Sequence, residues 1–468
     1  MNLSAFAQFP WLPWTLALAV MLVVGLIMLA VRARRWWLKA LLVLSTVLVV
    51  SGSLAGLGTA ILSRASLANR AAPVPDSLSL SFMDYAPKPG SVTSSLITLN
   101  ARTGAVRAQR SFPGNVYVYS VADEHTLYLV GGFTTTVTAM RASDGKYLWQ
   151  TPLLSPTDPQ RHLSPIASAV PSDGMLYFIT GGDAGELVVL GLNANTGELV
   201  WHVSITDASI AAQTVLLAVE QNMVFVTISN SELIALRGSD GAQMWSARLA
   251  PGEALAGFPI FADGVVYIIT NLQTRPNQAS SRRIVALDGR DGTQLWSHPL
   301  DGQIATLART PAGVGASSIY LEGSESVGNH DAHYLYSISA QSGNVQWKYP
   351  VTVAEGDTVS ATEANNLVYI ANSGETYLDA VRVGDGQRVW RHSAETNIGF
   401  GAPVVDNGVL FVKSLPIHRA GMNSDSCSFN CEPSTAIYAF DAATGSLYWH
   451  SAWAEMDILS PPWVTTDA

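Results

Sequence analysis

The chain has 468 residues, of which only 13% are charged, and a formal net charge of −10. No acidic residue precedes Asp76, whereas six of the 26 basic ones do, so 20 basic residues face 36 acidic ones from Asp76 onward. The resulting −16 excludes a surface built to hold nucleic-acid phosphates, which needs clustered Lys and Arg.

Two apolar runs open the chain, at about 12–31 and 36–62. Each approaches or exceeds the ~20 residues that cross a bilayer core. Trp11, Trp14, Trp36 and Trp37 stand at their ends, where indoles favour the interface. Arg32, Arg34, Arg35 and Lys39 separate the runs, and the positive-inside rule places that turn in the cytoplasm. A second span and this basic flank distinguish the segment from a cleaved signal peptide. The expectation is a transmembrane helical hairpin over 1–64, a linker at 65–76 and an extracytoplasmic domain at 77–468. The lipid bilayer is then one partner, and the location a multi-pass cell-membrane protein.

From residue 77 a pattern repeats eight times. Gly is followed four residues later by Trp149, Trp201, Trp245, Trp296, Trp347, Trp390 and Trp449. An eighth copy, at Gly104, has Ala108 in place of the Trp. Before each Gly stands Thr, Asp or Ser, whose short side-chain oxygen can bond the turn backbone. Five residues before it is an apolar residue, preceded by a small one such as Ala139, Gly191 or Ala286. Each copy reads as strand, tight turn, strand, with Gly supplying the positive φ. The Trp is expected to fill the gap to the adjacent sheet, and the small residue to let neighbouring sheets approach. An aromatic-bearing strand such as Val265–Thr270 precedes each hairpin, and a further short strand precedes that one. Four strands every 41 to 59 residues fit the blade of a closed ring. The fold class expected is all-β, an eight-bladed propeller of four-stranded antiparallel blades behind the transmembrane hairpin. A strand at about 458–464 completes the first blade and closes the ring.

The run Asp441-Ala-Ala-Thr444-Gly445-Ser-Leu-Tyr-Trp449, with its counterparts ending at Trp201 and Trp296, resembles the repeat of pyrroloquinoline-quinone (PQQ) propellers. That family includes quinoprotein dehydrogenases of alcohols and sugars and non-catalytic BamB-type proteins, so the resemblance implies the fold rather than one activity. A dehydrogenase would imply PQQ over a Trp, with a calcium ion held by Glu, Asn and Asp oxygens, and often a disulfide of adjacent cysteines. No segment matches those calcium or base motifs, and the two cysteines, Cys427 and Cys431, are not adjacent. They are read as a local disulfide pinning a long outward-facing loop. No catalytic, cofactor or metal residue is assigned.

The function expected is a non-enzymatic scaffold of the cell envelope. The alternative is a membrane-bound PQQ- and calcium-dependent dehydrogenase. In a four-stranded meander, the second-to-third and blade-to-blade connections share one end. Four long connections fall there, at 153–163, 271–282, 324–333 and 414–434. Long loops on one face of a rigid scaffold are where binding usually resides. Arg161, His162, Arg275, His330, His333, His418 and Arg419 are the candidate residues on that face, presented to another envelope protein or a polymer. His330-Asp-Ala-His333 is also a weak metal-ligand pattern.

Overall fold

The structure, a computed structural model, describes residues 71–468 apart from short segments, the longest being 207–216, 301–312 and 417–434. The two expected spans lie outside the described residues. Among the described residues there is no helix long and apolar enough to cross a membrane. Residues 71–75 of the expected linker belong with the β-domain: Ala72 and Val74 are buried in its core, and Ala72 N donates to Arg102 O.

The domain is all-β and consistent with a propeller. Among the described residues its strands form eight antiparallel sheets, each with four strand positions. The second is typical, with Val118–Ala122, Thr126–Gly131, Thr136–Arg141 and Tyr147–Pro152 pairing in chain order. The first takes Leu78–Lys88, Ser91–Asn100 and Val106–Pro113 from one end of the domain. Its remaining position is filled by Asp457–Ile458 and Trp463–Thr466, the latter paired antiparallel with Leu78 to Ser81. In the third, fifth and eighth sheets the first strand is likewise split, in the last two around Pro259 and Pro403. A proline lacks the N–H that a continuous ladder would use.

Each described Trp of the repeat reaches the following sheet. Trp149 Nε1 donates to Ala194 O at 2.9 Å, Trp245 to Gly289 O at 2.8 Å and Trp390 to Ala442 O at 3.0 Å. Trp201, Trp296 and Trp347 do the same to Gly238, Ala340 and Val383. Trp449, in the last sheet, donates to Ala101 O of the first at 3.1 Å. The acceptor always lies three residues before the repeat Gly of the next sheet, and the ring lies on that Gly. At Gly197 and Gly104 a Cβ would overlap the rings of Trp149 and Trp449, and φ is +74° and +70°. These glycines are therefore fixed twice, by backbone conformation and by close approach.

The small residue has a different role from the one expected. Ala139 pairs with Tyr128 on one side and Trp149 on the other. The two rings meet across it, with centroids 6.1 Å apart. The same arrangement recurs, with centroids 5.9 Å apart at Tyr177–Trp201 over Gly191 and at Tyr267–Trp296 over Ala286. The column is small because a larger side chain on the middle strand would separate two rings of its own sheet. Approach between sheets is governed by the glycine instead.

The seam from the first sheet to the second lacks this contact. Ala142 O, the counterpart of the Trp acceptors, is met by Thr98 Oγ1 at 3.4 Å. Arg110 lies over Tyr147 at 4.0 Å and donates to Gly145 O at 2.7 Å.

The turns at one end are tight. Asp173-Gly174, Asp263-Gly264 and Asn407-Gly408 have both residues at positive φ, as a type I′ turn requires. In the third-to-fourth turns the residue before Gly accepts the N–H two residues on, as Asp144 Oδ1 does from Lys146 at 3.0 Å. That bond is the main reason the Asp144 carboxyl is held below its ordinary pKa.

Trp449 is 1% exposed, so Trp449→Ala is expected to cost about 3–5 kcal/mol. Trp449→Phe, which keeps most of the ring and loses the hydrogen bond, is expected to cost about 1–2 kcal/mol. Urea unfolding of the two variants checks both figures. Equal, small losses would mean that the indole is not what closes the first sheet onto the last.

Candidate functional site

The strand pairing puts the tight turns at one end of every sheet and the second-to-third and sheet-to-sheet connections at the other. At this second end the structure corrects one expected loop. Residues 324–333 form the tip of a long hairpin: Ser318–Val327 and His330–Ser339 pair continuously out to Val327 opposite His330, leaving two residues between them. His330 and His333 are three apart in one strand, so their positions belong to opposite faces of the pleat. The connection at 153–163 folds back on itself, with Leu154 bridged to His162 and Leu163 N bonded to Leu153 O at 2.9 Å. His162 is exposed there. Strands shorten the connection at 271–282 to 273–280 and that at 414–434 to 417–434. Arg161, Arg275, His418, Arg419, Cys427 and Cys431 lie outside the described residues.

The seam between the sixth and seventh sheets combines buried charge with several polar links. The seventh sheet comprises Val359–Ala364, Leu367–Asn372, Tyr377–Arg382 and Arg388–Ser393. Toward the tight-turn end, Tyr320 of the sixth sheet donates its hydroxyl to Glu363 at 2.5 Å. Nearer the outer edge, Tyr349 donates to Asp379 Oδ2 at 2.7 Å, and Arg391 grips both oxygens of Asp379 at 2.6 Å each. Asp379 is 0% exposed. The Arg391 guanidinium also lies 3.8 Å over the Tyr377 ring. Its pKa is pushed up chiefly by the bond to Asp379. Burial first and Asp379 second push the Tyr349 hydroxyl up to about 12.

Toward the long-connection end of the same seam lie Glu322 and His333, with Asp357 in the connection between the sheets. Asn372 binds this connection through Thr352 O, and its Oδ1 accepts from Gly374 N at 2.9 Å. Glu322 stands two residues after the repeat aromatic. Ile179 and Ile269 hold that place in the third and fifth sheets and Ala371 in the seventh. Asp379 stands just before the small residue, where Leu190, Ile234 and Val285 stand elsewhere. Asp379 was legible in principle as the charged member of an otherwise uncharged column, whereas the Glu322 column is mixed, with Thr227 in the fourth sheet and Lys413 in the eighth.

Chemically the seam holds ion pairs and hydrogen bonds. Among the described residues no three His, Cys, Asp or Glu side chains converge as a metal site.

Removing one partner of a buried ion pair leaves the other uncompensated. Asp379→Ala is expected to cost about 3 kcal/mol, the low end for such pairs, because a third of Arg391 stays in water. Asp379→Leu combined with Arg391→Met is expected to recover most of that loss. Chemical unfolding of the single and double variants tests this, and a double variant weaker than either single would refute the account.

Comparisons with known proteins bear on this geometry. The model of a family described as outer membrane protein assembly factor BamB matches residues 90–211, 185–382 and 374–467. The chain is 27% identical over 286 residues to the tetrathionate hydrolase of Acidithiobacillus ferrooxidans, covering 58% of this chain and 52% of that protein. It thus spans about half of that relative's length. To the outer membrane protein assembly factor BamB of Yersinia pestis it is 23% identical over 313 residues, 66% of this chain and 74% of that protein. Among solved structures, the dihydro-heme d1 dehydrogenase NirN superposes with a TM-score of 0.51 at 12% identity, covering 83% of this chain and 76% of NirN. At that identity the likeness concerns the fold alone.

Proposed function

This chain belongs to the family of the outer membrane protein assembly factor BamB, and on that premise we propose that it is a non-enzymatic scaffold of the cell envelope. In this reading the domain is an eight-bladed propeller held by a two-span hairpin at about 12–31 and 36–62. It binds another envelope protein on its long-connection end. The observation that carries the reading is the asymmetry of the two ends. The tight-turn end is occupied by the Trp–carbonyl contacts and the type I′ turns, which leave little chain to reach outward. The opposite end carries the hairpin of residues 318–339 and the back-folded connection at His162. The relatives' names supply the envelope context, and family membership supports a protein partner over a small substrate.

The test uses the full chain in its native membrane. A photo-crosslinking amino acid is placed at His162 or His330, and as controls at Asp240 or Asp385 in the tight turns. One recurring envelope protein is expected from the first pair and not from the second. Purified protein is also given PQQ with Ca²⁺, then alcohols and aldoses with a redox dye, and separately tetrathionate. Neither binding nor turnover is expected. Substrate-dependent dye reduction, tetrathionate breakdown, or crosslinks confined to Asp240 and Asp385 would overturn the reading.

A further inference from the structure

The long hairpin of the sixth sheet has at its root two buried ionisable groups that the scaffold does not need. Tyr320 and Leu335 belong to a core cluster shared with Val359, Ala361 and Ile370 of the seventh sheet. Glu322 and His333 lie two residues from them along the same strands, so the two-residue period puts them on the same face. The Glu322 side chain is 1% exposed and that of His333 20%. Glu322 Oε1 and His333 Nδ1 are 3.7 Å apart, beyond a hydrogen bond, and neither atom has a hydrogen-bond partner in the protein.

We propose that Glu322 and His333 form a proton-operated latch, which fastens the hairpin of residues 318–339 to the seventh sheet when the pair holds an extra proton and loosens it when that proton leaves.

The argument is electrostatic. With the extra proton the pair is neutral overall, as carboxylate with imidazolium or as carboxyl with imidazole. One strong hydrogen bond then forms if the gap closes by about 1 Å. Without that proton the pair carries a full negative charge in a buried place, which is costly unless a cation answers it. Among the described residues the neighbouring elements offer none. Strand Val359–Ala364 presents Val359, Ala361 and Glu363, and Glu363 is already engaged by Tyr320. Strand Leu367–Asn372 presents Ile370 and Asn372, the latter bound to Thr352. Strand Val345–Val351 presents Tyr349 and Val351, strand Tyr377–Arg382 presents Asp379, and strand Arg388–Ser393 presents Arg391. Arg391 is committed to Asp379. Lys348 is paired with Glu325. Asp357, in the connection between the sheets, is negative and raises the cost further.

The titration agrees in sign. Burial pushes the Glu322 carboxyl above its ordinary pKa, His333 draws it back, and Asp357 adds a smaller push. A carboxyl raised in the folded state holds its proton more tightly there than in the unfolded chain. The stabilisation is therefore present at low pH and is lost as pH rises from the ordinary Glu range through Glu322's raised value. The hairpin rises at the long-connection end, so the latch governs how firmly that end is held. The inference concerns the hairpin alone: its failure would leave the partner reading intact, and the reverse holds too.

The test is amide hydrogen exchange on the full chain in detergent, corrected for the pH dependence of intrinsic exchange. Protection of residues 318–339 is expected to fall about fivefold between about pH 5 and pH 8, while residues 265–288 of the fifth sheet stay level. Glu322→Gln, neutral throughout, is expected to be protected and flat over that range. His333→Asn removes the group that draws Glu322's proton affinity down, so it moves the transition to higher pH and gives a second reading should Glu322→Gln fail to fold. A flat wild-type profile, an unchanged transition in either variant, or an equal fall at residues 265–288 would overturn the latch.

Discussion

An indole resting on a bare glycine of the following sheet, with its N–H held by the carbonyl three residues earlier, is the contact on which the rest of this structure depends. A four-stranded sheet of this width cannot bury both faces alone. The contact joins each sheet to the next at a fixed height and angle, because ring plane and hydrogen bond are set together. Six of these contacts link partners 36 to 52 residues apart, and Trp449 to Ala101 links partners 348 apart. Loop-closure entropy grows only with the logarithm of that separation. The long closure therefore costs little more than the short ones, and it has a second support in the pairing of Trp463–Thr466 with the first strand of the domain.

The same contact explains why so much of the fold was legible in the sequence. Its parts recur at fixed offsets, so the Gly, the Trp and the oxygen-bearing residue before the Gly appear as columns. What the columns could not reveal was register. Ala139 touches rings on both sides only because it pairs with Tyr128 and Trp149, and that pairing is not visible in spacing alone. The hairpin tip at 324–333 was hidden for a related reason. Its Ser, Glu, His and Asp residues read as loop by composition, yet ten-residue strands carry them because cross-strand pairing continues past the core.

The candidate site was the least legible part. Binding ends of repeat scaffolds are built from what does not repeat, so no column marks them. His162 and His330 were read as candidates from loop length alone. Glu322, Tyr349, Asp379 and Arg391 were missed, since one acidic residue among 36 carries no signal until its column is known to be buried.

Once the column is known, the signal becomes strong. A repeat protein contains its own controls: the third and fifth sheets show that Ile179 and Ile269 suffice where Glu322 stands, and the third and fourth that Leu190 and Ile234 suffice where Asp379 stands. Closing a seam thus requires no charge at these places, and burying one costs free energy that apolar residues would not. For Asp379 the cost is offset locally by Arg391 and Tyr349, so that group needs no further explanation than the ion pair itself. For Glu322 no neighbouring cation among the described residues offsets it. The group placed to do so is His333, whose charge depends on a proton, and both stand where the hairpin leaves the core. The part of the seam whose electrostatics remain open is thus the part nearest the end of the molecule that has chain to spare for a partner.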